Sequence, residues 1–247
     1  AAGLCWIRFY NSEGASDLKP FIVGSISEVA EKEPNNEQST AQLIELTSSI
    51  VNGILSKNGD VDTYAIPMRK GQTLVLALEA NRRLASPFDG VLQVVSPQGF
   101  VLDQNDDDQG LDPRLVFRAT EDGTYFARLF GFPAVANSSV RLSGGASYIY
   151  RLMITTDGFV DHVFPLAVTK GETVQIVGWN LTTDVKSFVV GTDIEATSVL
   201  LQHQKLATTT EIKLVEHSNL IEKEPNDLAN PNEIKLPLTV SGTIENR

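Results

Sequence analysis

The fold class is decided by the stretch DGTYFARLF at residues 122–130, in which a turn signal leads directly into a run of β-forming residues. Turn signals of the same kind occur at Lys70-Gly71 and at Pro97-Gln98-Gly99, and only residues 36–46 carry a weak helical pattern. Short strands at this spacing predict an all-β sandwich or barrel. The other runs of this type are QTLVLAL at residues 72–78, VLQVV at 91–95, LVF at 115–117 and YIYRLMI at 148–154.

A second group of strand-like runs follows, at residues 164–168, 173–179 and 186–190. Lys170-Gly171-Glu172 and Asn180-Leu181-Thr182 separate these runs as turns. The sequence therefore predicts a small second β domain, or spacer, after the first one.

An acidic hexapeptide occurs twice in the chain, as EKEPNN at residues 31–36 and as EKEPND at residues 222–227, an offset of 191 residues (222 − 31). Residues 49–54 and 238–244 also match within two residues of that offset. A period of this length indicates duplication of a whole domain rather than a solenoid. We expect the second copy, which runs to Arg247, to be truncated.

Charge and composition exclude several classes of partner. The chain has 31 acidic and 20 basic residues, a formal net charge of −11, which repels nucleic acid and anionic lipid. No run approaches the roughly 18 apolar residues of a membrane span, so membrane insertion is not expected. An acidic surface is suited to hard cations, which bind carboxylate and amide oxygens, and calcium is therefore the candidate cofactor.

Cysteine and histidine usage limits the remaining chemistry. The single cysteine, Cys5, rules out an intrachain disulfide, and we expect it to be a buried small hydrophobic residue rather than a reactive thiol. The three histidines are scattered, with no two at zinc-ligand spacing. Neither a GxSxG nor an HExxH motif occurs. The sequence thus predicts a protein without catalytic residues.

Seven short motifs follow one another in an order that is specific when they are taken together. They are EKEPNN at residues 31–36, GI at 53–54, GDVDTY at 59–64, SPQG at 96–99, NDD at 105–107, DGTY at 122–125 and YIYRL at 148–152. In this order they resemble the bacterial pre-peptidase C-terminal domain, over about residues 28–155. The resemblance implies a jelly-roll-like antiparallel β-sandwich, found in secreted peptidases and other exported proteins, that generally lacks catalytic residues. In collagenase-type relatives it also implies calcium binding and substrate adhesion.

The resemblance extends to the arrangement of the chain. The spacer resembles immunoglobulin-like IPT/TIG modules, and the whole resembles the large secreted multi-domain proteins of planctomycete-type bacteria. We therefore expect a secreted, periplasmic or cell-surface location. The predicted parts are the tail of a preceding β module at residues 1–27, the sandwich at 28–155, the immunoglobulin-like spacer at 156–221 and the start of a second sandwich at 222–247.

A calcium site is predicted at the first acidic hexapeptide. Side chains alternate in an extended segment, and Pro34 favours extended geometry at Glu33, so Glu31, Glu33 and Asn35 should project to one side. A turn would add Asn36 as a further ligand. Asp60 and Asp62 share one face of the next strand region. The alternative is a solvated linker that ends one domain and starts the next. The predicted ligands are Glu31, Glu33, Asn35, Asn36, Asp60 and Asp62, with a weaker equivalent at Glu222, Glu224, Asn226 and Asp227.

A second acidic stretch, Asp103–Gly110, resembles the start of an EF-hand loop. The glycine required at the sixth position is Asp108, and the closing glutamate is replaced by Arg114. A polar hairpin loop is therefore the favoured interpretation. Asp106 and Asp107 remain candidates for secondary calcium ligands.

The sequence supports two functions of different classes. One is a non-catalytic structural or adhesion module of a secreted repetitive protein, stabilised by calcium and contacting neighbouring modules of the same chain. The other is an accessory domain of a secreted peptidase that binds an extracellular polysaccharide or protein. Binding of that kind requires exposed aromatic residues, for which Tyr148, Tyr150 and Trp179 are the candidates, although aromatics that alternate with Ile149 or Val177 are more typical of a core.

Overall fold

The computed structural model of the chain describes residues 3–135, 137 and 141–244. The chain forms two compact units, Ala1–Thr156 and Asp157–Arg247. Within these residues, helical structure is limited to α1 (Asn81–Leu84) and two 3-10 turns, Gln38–Thr40 and Thr183–Val185. No helix within the described ranges is long and apolar enough to cross a membrane.

Strands make up nearly all of the regular structure. In chain order they are β1 (Gly3–Ile7), β2 (Tyr10–Asn11), β3 (Gly14–Ala15), β4 (Lys19–Val23), β5 (Glu28–Ala30), β6 (Gln42–Leu43), β7 (Ser48–Ile54), β8 (Asp62–Met68), β9 (Thr73–Glu79), β10 (Phe88–Val95), β11 (Val101–Asn105), β12 (Arg114–Arg118), β13 (Gly123–Pro133), β14 (Ile149–Thr155), β15 (Phe159–Phe164), β16 (Ala167–Val168), β17 (Thr173–Trp179), β18 (Ser187–Val189), β19 (Ser198–Leu201), β20 (Thr210–Leu214), β21 (Asn219–Ile221) and β22 (Thr239–Ser241).

Two five-stranded sheets form the body of the first unit. The first sheet has the order β11-β10-β13-β8-β6 and the second has the order β12-β9-β14-β7-β5. From β7 to β14 the chain passes to the other sheet at every connection except the β10–β11 hairpin. The central pairs are antiparallel, whereas β5 pairs with β7, and β6 with β8, in parallel at the sheet edges.

A single apolar core lies between the two sheets. The alternation of burial in β13 shows how the sequence produces it, because Tyr125, Ala127 and Leu129 are buried while their neighbours are partly exposed. Leu76 and Leu152 meet them from the second sheet and are inaccessible to solvent. Burying a leucine side chain contributes about 1.5–3 kcal/mol, so this alternation is sufficient to hold the sheets face to face. The prediction of an all-β sandwich is confirmed.

The sandwich begins and ends on either side of the start of β7. Glu28, the first residue of β5, lies beside Ile50 in the parallel pair. Thr155, the last residue of β14, lies beside Ser48 in the antiparallel pair, and their hydroxyl groups are 2.6 Å apart. The two ends of the sandwich therefore lie at the same end of the second sheet, with β7 between them.

The second unit contains two three-stranded sheets, β15-β17-β18 and β16-β20-β19. Its core is built of β-branched and leucine side chains, among them Val163, Val174, Ile176, Leu201 and Ile212. A separate parallel pair, β21 with β22, follows.

The chain starts with a ribbon in which β1 pairs with β4 and β2 pairs with β3. One face of β4 turns toward the sandwich, because Ile22 is buried. Cys5 in β1 is exposed, so the expectation that it would be buried was wrong. The run Cys5–Tyr10 does contain a strand, as its composition suggests, but within the described residues this strand has only β4 beside it.

The position of the core predicts which leucines determine stability. Replacing Leu76 with alanine should lower the free energy of unfolding by about 2–5 kcal/mol, because a cavity is left between the sheets. Leu46→Ala is the matched control, since this side chain is 52% exposed and its loss should cost less than about 0.5 kcal/mol. Urea unfolding followed by circular dichroism measures both. Equal effects of the two changes would contradict the assignment of the core.

Candidate metal centre

The first acidic hexapeptide connects the two sheets of the sandwich. At its start, the backbone N–H of Glu31 donates to the carbonyl of Asn52 in β7, at 3.0 Å. Further along, the carbonyl of Asn35 accepts from the N–H of Thr63 in β8, also at 3.0 Å. Because β7 belongs to the second sheet and β8 to the first, the hexapeptide crosses the end of the core between them.

Three carboxylates converge where the hexapeptide reaches the first sheet. Glu33, Asp60 and Asp62 each contribute an oxygen atom, and these atoms lie within 4.8 Å of one another. Asp60 and Asp62 are fully buried, whereas Glu33 is exposed. We refer to these three residues together with Asn35 as the acidic cluster. It has an open side at Glu33 and a closed side formed by the strands.

Asn35 is fully buried in the middle of this cluster. Its backbone N–H donates to Glu33 Oε2 at 2.9 Å. One end of its side-chain amide lies 3.0 Å from Glu33 Oε2 and 3.1 Å from Asp62 Oδ1. With the nitrogen at that end, the amide donates to both carboxylates. With the oxygen there, three oxygens face one another, an arrangement that a retained proton or a cation would balance.

Asp60 is held from two sides. Its Oδ2 accepts hydrogen bonds from the backbone N–H and the hydroxyl of Ser56, and its Oδ1 accepts one from Asn36 Nδ2 at 3.1 Å. The carboxylate is thus fixed in place by three donors. Asn36 belongs to the surroundings of the cluster through Asp60.

Glu31 lies to one side of the cluster, next to Tyr150. Its Oε1 accepts from the N–H of Ile54 at 2.9 Å, and its Oε2 lies 3.0 Å from the hydroxyl oxygen of Tyr150. Gly53 leaves room for both groups, because a Cβ atom there would come within 2.3 Å of Glu31 Oε2 and of the Tyr150 ring. The structure therefore brings Glu33, Asn35, Asp60 and Asp62 together and places Glu31 to one side of them, next to Tyr150.

Two buried tyrosines that are not among the predicted ligands complete the site. The Tyr150 hydroxyl makes short hydrogen bonds with Asp62 Oδ2 and with the Tyr64 hydroxyl. A signal for Tyr64 was present in the sequence, since residues 62 and 64 of one strand point to the same face. No sequence spacing indicated that Tyr150, 88 residues beyond Asp62, would lie beside it.

Burial changes the protonation of these groups. Removal from water raises the pKa of Asp62 to about 8, and the nearby negative charges of Glu31 and Asp60 add to this effect against a hydrogen bond from Tyr150. Burial likewise raises the pKa of Glu31, and it raises that of Tyr150 well above its usual value. Without a counter-charge, the pair Glu31 and Asp62 therefore retains a proton near neutral pH.

A pH dependence of stability follows. Asp62 retains its proton up to about pH 8 in the folded chain but releases it near its usual value of 3.8 when the chain unfolds. The folded state binds more protons within that interval, so stability in the presence of a chelator should be greatest in acid and decrease as the pH rises toward 8. Denaturant unfolding at several pH values measures it. Asp62→Asn should flatten the profile and the exposed Asp103→Asn should not; stability that increases with pH would contradict the prediction.

The close contacts of Gly53 give a second prediction. Gly53→Ala should destabilise the first unit by about 1–3 kcal/mol, because the added methyl group displaces Glu31 or Tyr150. Gly145→Ala is the control, since a Cβ atom there lies 3.6 Å from Tyr148, an ordinary contact. Thermal unfolding of the two variants compares them. A Gly53→Ala protein as stable as the control would show that the packing around Glu31 is loose.

The second acidic hexapeptide repeats the backbone geometry of the first. β21 pairs in parallel with β22 as β5 pairs with β7, and the N–H of Glu222 donates to the carbonyl of Ser241 at 3.0 Å. The N–H of Asn226 donates to Glu224 Oε2 at 3.0 Å, as its counterpart does in the first copy. Asn226 and Asp227 are exposed. In the part of the chain that the structure describes, the only group of three acids with oxygen atoms within 4.8 Å of one another is the one at the first copy.

The second acidic stretch lies in β11 and the loop after it, and the three aromatic candidates contact other side chains of their own units. Residues 103–105 lie in β11, and the acidic residues after them form a loop in which Asp108 pairs with Arg114 at 3.0 Å. Among the aromatic candidates, Tyr150 is buried, Tyr148 stacks on Phe88 with ring centres 5.7 Å apart, and Trp179 contacts Phe159 at 5.8 Å. These contacts lie within the units, which matches the core interpretation of the three residues.

Comparison with known families gives a match for the central part of the sandwich. Residues 60–131 match the family described as the bacterial pre-peptidase C-terminal domain. The matched region of this family starts at Asp60 and contains two of the three carboxylates of the cluster. Glu33 and Asn35 precede the matched region, as does the hexapeptide as a whole.

Solved structures that are similar to the chain have low sequence identity to it. One is PliG of Aeromonas hydrophila, a periplasmic inhibitor of g-type lysozyme, with 15% identity, a TM-score of 0.32, and coverage of 52% of this chain and 95% of that one. Another is the pre-peptidase C-terminal domain of a Bacillus anthracis collagenase, with 12% identity, a TM-score of 0.34, and coverage of 51% and 98%. No curated protein matches the chain.

Proposed function

We propose that the chain is a non-catalytic structural or adhesion module of an exported repetitive protein, and that calcium bound at the acidic cluster fixes the hexapeptide to the sandwich. The observation that carries the proposal is the convergence of Glu33, Asp60 and Asp62, two of them fully buried, around the buried amide of Asn35. Calcium takes six to eight oxygen ligands, so four side chains and a few water molecules would suffice.

Electrostatics favours a cation over an empty site. Bringing carboxylates together in a buried position is costly, and the raised pKa of Asp62 expresses that cost. A divalent cation would displace the retained proton and neutralise the cluster. Oxygen ligands alone, with neither histidine nor cysteine among them, favour calcium or magnesium over zinc. The exposed position of Glu33 provides a route from solvent.

The structural role follows from the location of the cluster. Glu33 and Asn35 belong to the hexapeptide, whereas Asp60 and Asp62 lie at the start of the first sheet. A cation bound both by the hexapeptide and by these aspartates would hold the connection between the sheets in one conformation. In a secreted array, of the planctomycete type that the sequence resembles, such a site would stiffen each sandwich at the point where the chain enters it.

The alternative role, binding of polysaccharide or protein as a peptidase accessory, lacks a specific surface among the residues suggested for it. Tyr150 is buried, and Tyr148 and Trp179 pack on neighbouring rings. The match to the pre-peptidase C-terminal domain family is compatible with both roles. The acidic cluster therefore supports the structural role.

Calorimetric titration of the full chain with calcium tests the proposal. We expect one binding event, release of protons near pH 7, and a gain in stability of about 2.7 kcal/mol when free calcium reaches 100 times its dissociation constant. Magnesium, which demands near-octahedral geometry, should bind more weakly. Thermal unfolding with calcium and with chelator provides the second measurement.

The duplicated hexapeptide supplies a matched control. Glu33→Gln should weaken calcium binding at least about tenfold, since one charged ligand is lost while the fold can be retained. Glu224→Gln makes the same change at the equivalent position of the second copy, where no such cluster exists among the described residues, and should leave binding unchanged. Absence of binding by the parent chain, or equal loss in the two variants, would overturn the proposal.

A further inference from the structure

The ribbon at the start of the chain repeats a pair of strands in the second unit. β4 (Lys19–Val23) and β20 (Thr210–Leu214) are separated by the offset of the two hexapeptides, 191 residues. The partner strands follow the same register, because Cys5 pairs with Phe21 as Val199 pairs with Ile212. Each of the four residue pairs between β19 and β20 has its counterpart between β1 and β4. The two hairpins are thus the same structural element.

Their burial differs sharply. Leu201 and Ile212 are 4% and 0% exposed in the core of the second unit. Their counterparts in the ribbon, Ile7 and Phe21, are 42% and 51% exposed. Cys5 and Val23 are exposed as well, and they correspond to Val199 and Leu214, which pack against that core. The ribbon consequently presents to solvent the face that its counterpart buries.

The opposite face of the ribbon behaves differently. Pro20 and Ile22 line, with Leu84 and Ile149 of the same unit, a cavity of about 490 Å³, whose wall Phe21 also reaches. Their counterparts in β20 are Glu211 and Lys213, whose charged side chains form an ion pair at the surface. β4 therefore has apolar residues on both faces, one packed against the sandwich and one exposed to solvent.

We propose that the face formed by Cys5, Ile7, Phe21 and Val23 binds a β segment of the type of residues 157–190, the part of the second unit that covers β19 and β20. That segment supplies Val163, Val174 and Ile176 to the shared core. It also supplies β16, which pairs in parallel with β20 at Lys213 and Leu214. Among the described residues β4 pairs with β1 alone, so its other edge is available for an equivalent strand. The inference does not depend on the cation site.

A chimaera in which residues 157–197 are joined to Leu4 of the full chain tests the inference, because Leu4 and Ser198 occupy equivalent positions. The single cysteine is the reporter. In the parent chain its thiol is exposed and should react freely with a thiol reagent. In the chimaera the added segment should cover it and slow the reaction at least about tenfold, since access then requires local opening.

Substitutions distinguish covering of the thiol by the added segment from other causes of a slow thiol reaction. Val174→Asp in the added segment, or Phe21→Asp in the ribbon, should restore rapid reaction, whereas Gln175→Asp, an exposed position of the same strand, should not. A thiol in the chimaera as reactive as in the parent would overturn the proposal. So would a parent chain that sediments as a dimer with a protected thiol and that Phe21→Asp converts to a monomer, because a second copy would then be the partner.

Discussion

The two buried aspartates at the end of the sandwich are the constraint on which its architecture depends. Asp60 and Asp62 lie where β8 begins, and each can remain buried only if its charge is matched by hydrogen bonds, a proton or a cation. Ser56 and Asn36 provide donors to Asp60, and Tyr150 provides one to Asp62. These partners come from the hexapeptide, from the β7–β8 connection and from β14. Satisfying two carboxylates therefore fixes three separate parts of the chain against one another.

This requirement explains why the hexapeptide has a defined path although it contains little regular structure. Its backbone is hydrogen-bonded to β7 at one end and to β8 at the other, and the side chain of Asn35 is buried between them. The apolar core beneath holds the sheets together but does not determine how their edges are connected. Polar contacts at the rim determine those connections. The residues that make them cost free energy to bury unless every hydrogen-bond partner is present.

The sequence was sufficient to predict the fold class and part of the site. Alternating β-type runs such as residues 124–130 specify strands, and the repeated hexapeptide indicated where acids would gather. Local alternation was not sufficient to predict that Glu31 also contacts Tyr150, because the room for that contact is provided by Gly53 of a different strand. It also did not predict the exposure of Cys5, since an apolar strand signals burial without showing whether the covering partner lies within the chain. β5 pairs in parallel with β7, and β6 with β8, because residues 31–41 cross from one sheet to the other. The sequence gives no periodic signal for that path.

The positions of Glu28 and Thr155, on either side of the start of β7, have a consequence for how such a chain can change length. A domain whose chain enters and leaves at the same end can be inserted into a polypeptide, or deleted from it, with little movement of the residues that flank it. Duplication of the sandwich would then add mass and surface at a junction while leaving the spacing on either side unchanged. Growth by repetition needs only this adjacency of the two ends, and evolution can vary the number of copies without redesigning the connections.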